Sequence, residues 1–383
     1  MATEETPQTT NVLHIDGATL EGGGQLVRNA IAFSALLARP LSISNIRANR
    51  KQKGLKAQHA AGIKLVADIC NAETKGVQQN SESVTFIPHT PKPGHYVADP
   101  GTAGSTTLLL QIAFPCLLFS PATPSETDSG ESHLTLRGGT NAIAAPQIDY
   151  TIHVFFPFIR RHFNIDPHIY VKRRGYYPKG GGEVTVIVPH ASGPLLALNL
   201  TSRGAVTAVR GRAYVAGSLP MRLVNLMVDA AKAQIISSGI NKKLIDIEAV
   251  KEDESTAIGN GSGIILWAET EEGCIIAGSA IGVRGTNASL IGKEAAEDLV
   301  SNLAHGGCVD EYMQDQMIIF MALAKGKSTV ATGPLSLHTK TAIWLAEKLT
   351  SAKFQTEEKP GTGRTIITCE GIGLESPSHA ESN

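Results

Sequence analysis

The chain has 383 residues, 42% of them hydrophobic, a formal net charge of −1 and few aromatic residues (5%). That is enough apolar material for a large core and suggests two domains, while no apolar run is long enough to span a bilayer. The five cysteines (Cys70, Cys116, Cys274, Cys308 and Cys369) are scattered without a CxxC pair, which argues against a disulfide framework and against a zinc site.

The opening "MATEETPQTTN" is acidic and polar. It resembles neither a secretory signal nor an Arg-rich transit peptide, so residues 1–11 are expected to be a disordered tail on a soluble intracellular protein. "EGGGQLVRNAIAFSALLARPLSISNI" then gives a Gly-rich turn, an apolar helix and a β-branched strand. Glu21 precedes three glycines, which let backbone approach a ligand closely. Arg28 interrupts an otherwise apolar helix. Between Leu41 and Lys64 there is no acidic residue, whereas Arg47, Arg50, Lys51, Lys53, Lys56 and Lys64 are basic. "QHAAGIKLVADIC" has helical spacing.

"GTAGSTTLLLQIAFPCLL" followed by "SHLTLRGGT" repeats the order turn, helix, strand across a longer connection, with Gln111 as its lone amide. The Pro/Ser-rich excursion at 120–133 is expected to be a mobile surface loop. "PQIDYTIHVFFPFIRRHF" predicts a helix, and "HIYVKRR" and "GGEVTVIVP" predict strands. In "YVKRRGYYPKGGG" the cations Lys172, Arg173, Arg174 and Lys179 are interleaved with Tyr170, Tyr176 and Tyr177. That pattern suits a solvated loop, and it equally suits single-stranded nucleic acid, whose phosphates need cations and whose bases need π-faces.

From 196 to 304 the glycine-turn signature lapses, although helices ("PMRLVNLMVDAAKAQIISSG", "GKEAAEDLVSNLAHG") and a strand ("GIILWAET") continue. We expect a smaller domain, 196–304, inserted into a larger repeated α/β domain covering 12–195 and 305–371. The signature resumes at "DEYMQDQ", where Asp315 and Gln316 open the "MIIFMALA" helix just beyond Tyr312. In "HTKTAIWLAEKL", Ala342, Leu345, Ala346 and Leu349 recur at i, i+3, i+4, i+7 and predict an amphipathic helix starting near Thr339. His338 then falls in the loop before its first turn. Residues 372–383 are expected to form a second disordered tail.

Several nucleotide chemistries are excluded. "GKS" at 326–328 lacks the upstream glycine of a P-loop, and neither Lys-x-Asp-Gly nor His-Glu-x-x-His occurs. What remains is a set of polar groups where helices begin. Glu21 reads as a turn residue or a metal-binding carboxylate, Gln111 as a buried amide or a ligand contact, and Asp315 as an N-cap or part of a site. His338 reads as a capping histidine or as a nucleophile, since a helix N-terminus favours neutral imidazole and attracts phosphate.

"EGGGQLVR", "IRANRKQKGLKAQH", "GTAGSTTLLLQ", "RGGTNAIAAPQIDY", "YYPKGGGEV", "EYMQDQ" and "SLHTKTAIW", in this order, resemble the RNA 3′-terminal phosphate cyclase family from about residue 12 to 370. The resemblance implies three repeats, each of two helices on a four-stranded sheet, with a thioredoxin-like α/β domain inserted between the second and third. It implies ATP and a divalent metal (Mg²⁺ or Mn²⁺) as cofactors, and an RNA bearing a 3′-terminal phosphate as partner, converted to a 2′,3′-cyclic phosphate through a histidine–AMP intermediate and an adenylated RNA end. By the same resemblance His338 is the nucleophile and Glu21 stands near metal and phosphates. Gln111, Pro146, Tyr312, Asp315 and Gln316 surround the adenine nucleotide, and Arg28, Arg47, Arg50 and Gln58 hold phosphates or the RNA end. No obligate protein partner is implied. A nuclear location is favoured by the eukaryotic-type relatives, with the cytoplasm as the alternative. A cyclase-like branch of the family serves ribosomal RNA processing without catalysis and lacks the histidine; the intact "SLHTKTA" favours the catalytic branch. An enolpyruvyl-transferase-like enzyme on a related fold is the third reading.

Overall fold

The computed structural model describes residues 12–121 and 131–376. The tail at 1–11, most of the excursion at 120–133 and the last seven positions of the expected C-terminal tail lie outside them.

Three units share one plan. The first runs β1 (Leu13–Asp16), α1 (Gly24–Leu36), β2 (Leu41–Ser44), α2 (Ala57–Cys70), β3 (Glu73–Lys75) and β4 (Val84–Ile87), with sheet order β1-β2-β4-β3. The second runs β5 (His95–Ala98), α3 (Thr106–Leu118), β6 (Ser132–Gly138), a helix made of α4 (Ile148–Tyr150), a π turn (Thr151–Phe155) and α5 (Phe156–Phe163), then β7 (His168–Gly175) and β8 (Gly182–Val188). Its strands take the equivalent order β5-β6-β8-β7. In each unit the first two strands pair in parallel through a crossover helix, and the last two complete the sheet antiparallel.

The third unit opens with β9 (Asn199–Leu200), which pairs in parallel with β15 (Lys325–Thr332). Between them lies the inserted unit: β10 (Val206–Ala216), α6 (Arg222–Ser237), β11 (Ile245–Lys251), β12 (Ala257–Ile258), β13 (Gly261–Thr270), β14 (Ile275–Ile281) and α7 (Ala288–Ala304). The third unit then resumes with α8 (Glu311–Leu323), β15, α9 (Leu337–Leu349), β16 (Lys353–Lys359) and β17 (Arg364–Ile372). This corrects the expected insertion point. Residues 196–200 belong to the third sheet, tied by the Leu196–Lys325 bridge and the β9–β15 ladder. The insert therefore interrupts the third unit after its first strand. A two-residue strand carries too little pattern to be read from sequence.

The expected C-terminal tail is also corrected. Ile372 ends β17, Leu374 N donates to Leu323 O at 2.8 Å, and Ser376 Oγ donates to Ala191 O at 3.3 Å. Those backbone bonds are invisible to a composition-based reading.

The helices α1, α3 and α8 are apolar on nearly every side and lie in the centre of the larger domain, as all-round apolar helices must. Phe114, Phe155, Phe156, Phe163 and Phe320 form one aromatic cluster there, joining the second and third units. The inserted sheet, β11-β10-β13-β14, is covered on both faces. Ile264, Leu266 and Ala268 of β13 pack with α6 and α7, while the alternate residues Ile265 and Trp267 enter the core of the larger domain. Burial of both faces explains why "GIILWA" is a continuous apolar run instead of an alternating one.

The two helices of the insert meet closely at Gly292, where a Cβ would lie 2.0 Å from Met227 O. Gly292→Ala is expected to destabilise the protein by about 1–3 kcal/mol through overpacking, despite the better helix propensity of alanine. Urea unfolding checks this; a variant as stable as the parent would mean that α6 and α7 are not in such close contact.

Candidate active site

The first helices of the three units converge with their N-terminal ends at one cleft of about 290 Å³. α1 contributes Arg28, α3 contributes Leu108 and Gln111, and α8 contributes Tyr312 and Asp315. His338 enters from α9, Ala144 and Pro146 from the loop after β6, and Ala277, Asp298 and Asn302 from the inserted unit. Helix N-termini present unbonded N–H groups and partial positive charge, so the cleft suits an anion.

His338 is not in a loop. Ser336 is the N-cap of α9, its Oγ accepting from Thr339 N at 3.1 Å, so the helix begins at Leu337 and His338 sits in its first turn. The apolar stripe starts later than the helix does, which is why periodicity placed the boundary two residues too late. The start of α9 is pinned to α8: Gln314 Oε1 accepts from Ser336 N at 3.0 Å and from Thr339 Oγ1 at 2.6 Å. Asp315 does not open its helix either. Asp310 is the N-cap of α8, so Asp315 lies in the second turn and faces the cleft.

The histidine is held by a buried relay. His338 Nδ1 lies 3.0 Å from Gln25 Oε1, and Gln25 Nε2 donates to Asp315 Oδ2 at 2.5 Å. An ionised carboxylate only accepts, so the Gln25 amide must turn its NH₂ toward Asp315 and its carbonyl toward His338. The imidazole then carries its proton on Nδ1 and keeps the lone pair on Nε2. Burial pushes Asp315 up from 3.8 to about 7, with Arg28 opposing the shift. Burial likewise brings Arg28 down to about 10, opposed by Asp315 and Glu21, so the guanidinium stays charged near neutrality. Its buried Nε has no partner.

Glu21 N donates to Thr341 Oγ1 at 3.2 Å, which ties the glycine turn to α9. One carboxylate oxygen of Glu21 pairs with Arg50, while the other is buried and unbonded. The glycines have steric reasons: a Cβ on Gly23 would lie 2.0 Å from Glu21 Oε1, and one on Gly24 would lie 2.3 Å from His59 Nε2. Burial, with Arg28, Arg47 and Lys56 nearby, pushes His59 down to about 3, so its ring is neutral.

Of the expected residues, the cleft therefore brings together Arg28, Gln111, Pro146, Tyr312, Asp315 and His338. Gln316 lines an adjoining crevice with Gln25 and Gln111, its Nε2 donating to Tyr312 O at 2.7 Å. Glu21, Arg50, Arg47 and Gln58 lie outside the cleft lining. Arg47 is buried at φ +55° and donates from Nη1 to Gly54 O at 2.9 Å, so part of its guanidinium serves its own loop. Gln58 Oε1 accepts from Ser105 N at 3.1 Å. Sequence reasoning missed Gln25, His59, Asp298 and Asp310. Gln25 carried a usable signal: it is a lone amide in the first turn of an apolar helix, the criterion that selected Gln111.

The comparisons agree with this architecture. The family model for RNA 3′-terminal phosphate cyclase matches residues 19–356. The chain belongs to the RNA 3′-terminal phosphate cyclase family. It is 38% identical over 365 residues to the RNA 3′-terminal phosphate cyclase of Drosophila melanogaster, covering 94% of this chain and 97% of that one. It is 37% identical over 361 residues to that of Pyrobaculum aerophilum, covering 94% and 99%. A probable RNA 3′-terminal phosphate cyclase of Dictyostelium discoideum is 38% identical over 368 residues, covering 94% and 82%. Within this family the chain keeps the histidine, and its ring is oriented by an amide from the first unit and a carboxylate from the third.

The raised Asp315 makes stability depend on pH. Because its folded-state pKa exceeds the unfolded value, the folded protein holds this proton more tightly. The stability linked to it is complete below about pH 4 and is lost as pH rises through about 7. Asp315→Asn removes the titration. Melting curves between pH 5 and 8 should show the parent losing Tm relative to the variant as pH rises; a constant offset would contradict the raised pKa.

Proposed function

We propose that the chain converts an RNA 3′-terminal phosphate to a 2′,3′-cyclic phosphate at the expense of ATP, through a covalent adenylate on His338. The observation that carries this reading is the Gln25 relay, which leaves His338 Nε2 as a free nucleophile at an anion-binding convergence of helix ends.

The chemistry requires activation. Direct attack by the 2′-OH on a terminal phosphate would have to expel oxide or hydroxide, whereas AMP is a good leaving group. In the proposed first displacement, His338 Nε2 attacks the α-phosphorus of ATP. The N–P bond forms, the bond from the α-phosphorus to the bridging oxygen breaks, and pyrophosphate departs with the electron pair. Gln25 Oε1 stays on the Nδ1 proton and steadies the positive charge that develops on the ring. In the second displacement an oxygen of the RNA 3′-phosphate attacks the same phosphorus, the N–P bond breaks and neutral imidazole returns. In the third, the 2′-oxygen attacks the 3′-phosphorus, releasing its proton and AMP and closing the ring.

Arg28, whose Nε is buried and unbonded, supplies a fixed donor for the phosphates. Tyr312 and Pro146 offer flat and apolar surfaces to the base, with Gln111, Asp315 and Gln316 as polar neighbours. Arg47, Arg50 and Gln58 hold the RNA end. Glu21 fits a divalent metal, because its unbonded oxygen is buried. Among the described residues no cluster of three or more His, Cys, Asp or Glu could hold a metal ion, so the remaining ligands would be phosphate and water oxygens, as Mg²⁺ prefers. When bound, such an ion supplies charge neutralisation at the phosphates.

Incubation with α-labelled ATP should label the protein through a bond that is labile in acid and stable in mild alkali. His338→Ala should abolish that label while keeping the fold; a label that survives in the folded variant rules His338 out as nucleophile. An RNA whose last sugar is 2′-deoxy should accept AMP and accumulate without cyclising.

Gln25→Ala separates orientation from binding. ATP affinity should hold, while the rate of self-labelling falls about tenfold to a hundredfold as the imidazole loses its fixed orientation. An unchanged labelling rate would show that the relay does not orient the histidine.

A further inference from the structure

The basic and aromatic run at 170–179 lies outside the cleft. β7 belongs to the second-unit sheet, whose inner face (Leu134, Leu136, Val184, Val186) is buried in the core. Across the outer face, the register sets Val97, Thr135, Thr185 and Tyr170 in one row. Tyr170 is 58% exposed and Tyr177, beyond the strand end, is 76% exposed. One step along from Tyr170, Lys172 and Arg137 share Glu183, at 2.7 and 3.1 Å. Arg173 donates from Nε to Gly181 O at 2.8 Å instead of to an acid, and Lys179 is exposed. The acids on this side are Glu183, already shared by two cations, and Asp99, whose Oδ1 accepts from Gly101 N at 2.7 Å. The face is therefore cationic with two bare aromatic rings.

This surface is continuous with the cleft. β5, β6 and β7 run in the same direction, so the turns after them share one edge. A Cβ on Gly180 would lie 2.8 Å from Thr102 O, so the Tyr177 loop rests on the turn after β5. A Cβ on Gly104 would lie 2.8 Å from Gln58 Cβ, so that turn rests in its turn on the start of α2. Gln58 adjoins His59, which lies against Gly24, next to the Gln25 that holds His338.

We propose that the outer face of the β5-β6-β8-β7 sheet, with the Tyr177 loop, is a track for the single-stranded RNA upstream of its 3′ end. The proposal rests on the cyclase reading above. Tyr177 and Tyr170 stack on bases, and Lys179, Arg173, Lys172 and Arg137 meet the intervening phosphates. Two residues along a strand span about 7 Å, so Tyr170 and Lys172 can serve a base and a phosphate of neighbouring nucleotides. The track reads no sequence, because every base has a π-face.

The test uses the full chain and two 3′-phosphate substrates, an unstructured RNA of about twelve nucleotides and a dinucleotide. Tyr170→Ala with Tyr177→Ala should raise KM for the long RNA about tenfold or more, leaving the dinucleotide and ATP self-labelling unchanged. The paired Tyr→Phe variant should restore the long substrate, since the ring is what matters. Lys172→Ser with Lys179→Ser should lessen the salt dependence of long-RNA binding by about one unit of log–log slope. Equal effects on long and short RNA, or none on either, overturn the track. If the parent protein failed to label with ATP, the cyclase reading would fall instead. Anisotropy binding of the same long RNA to the parent and the alanine pair would still decide the track, with equal affinities overturning it.

Discussion

The site depends on one amide. Gln25 has a single carbonyl and a single NH₂ to offer, and Asp315 takes the NH₂, so His338 receives the carbonyl and has no choice of tautomer. The arrangement is costly, since it keeps Asp315 and Arg28 away from water. Either charge alone would be untenable at that depth. Together they hold a charged donor and a fixed acceptor where three helix ends meet, leaving only the nucleophilic nitrogen uncommitted. The surrounding structure serves this geometry: Gln314 pins the start of α9 to α8, and Thr341 pins Glu21 to α9.

The repeat explains why these groups converge. Arg28, Gln111 and Asp315 each lie about one turn into the first helix of their unit, on helices otherwise apolar enough to be buried together. The three helices are packed centrally with their N-termini on one side, so a polar residue at that shared position must point at a common space. His338, Gln58 and Asp149 likewise occupy the second position of the second helix in their units. They have diverged into a candidate nucleophile, a loop anchor and a buried ion-pair partner. One position in the plan thus serves three purposes, set by what the neighbouring unit places opposite it.

How far the sequence could be read follows from the same logic. The all-round apolar helices, the glycine turns before them and the change of character after 195 were legible because each is a local pattern with a steric cause. Lone polar residues on apolar helices were legible too, and Arg28, Gln111 and Asp315 do meet in the cleft. Gln25 was passed over although it met the same criterion. What could not be read was set by long-range pairing. β9 exists only because β15 lies beside it, and residues 372–376 are ordered by Leu323 and Ala191. Asp310 is an N-cap whose second role, accepting from Ala277 N at 2.8 Å across to the inserted unit, depends on a fold no local window contains.

That bond points to the work of the insert, which forms one wall of the cleft through Ala277, Asp298 and Asn302. A wall borrowed from another unit is useful only if it does not drift, and the junction is built to prevent drift. Arg174 of β7 grips Asp149 with two hydrogen bonds, at 2.6 and 2.7 Å, and also reaches Glu252 of the insert at 3.1 Å. Arg212, also of the insert, pairs with Glu252 at 2.8 Å. Burial pushes Asp149 up, but Arg174 and Arg212 overcome it and hold the carboxyl below its usual range. Gln147 adds bonds to Ile264 O and Ala280 O, at 3.2 and 3.4 Å. Replacing one member of such a network strands a charge in a dry interface, whereas an apolar junction would tolerate sliding. The charges therefore fix position more than they add stability, and the wall stays in register with the helix ends opposite.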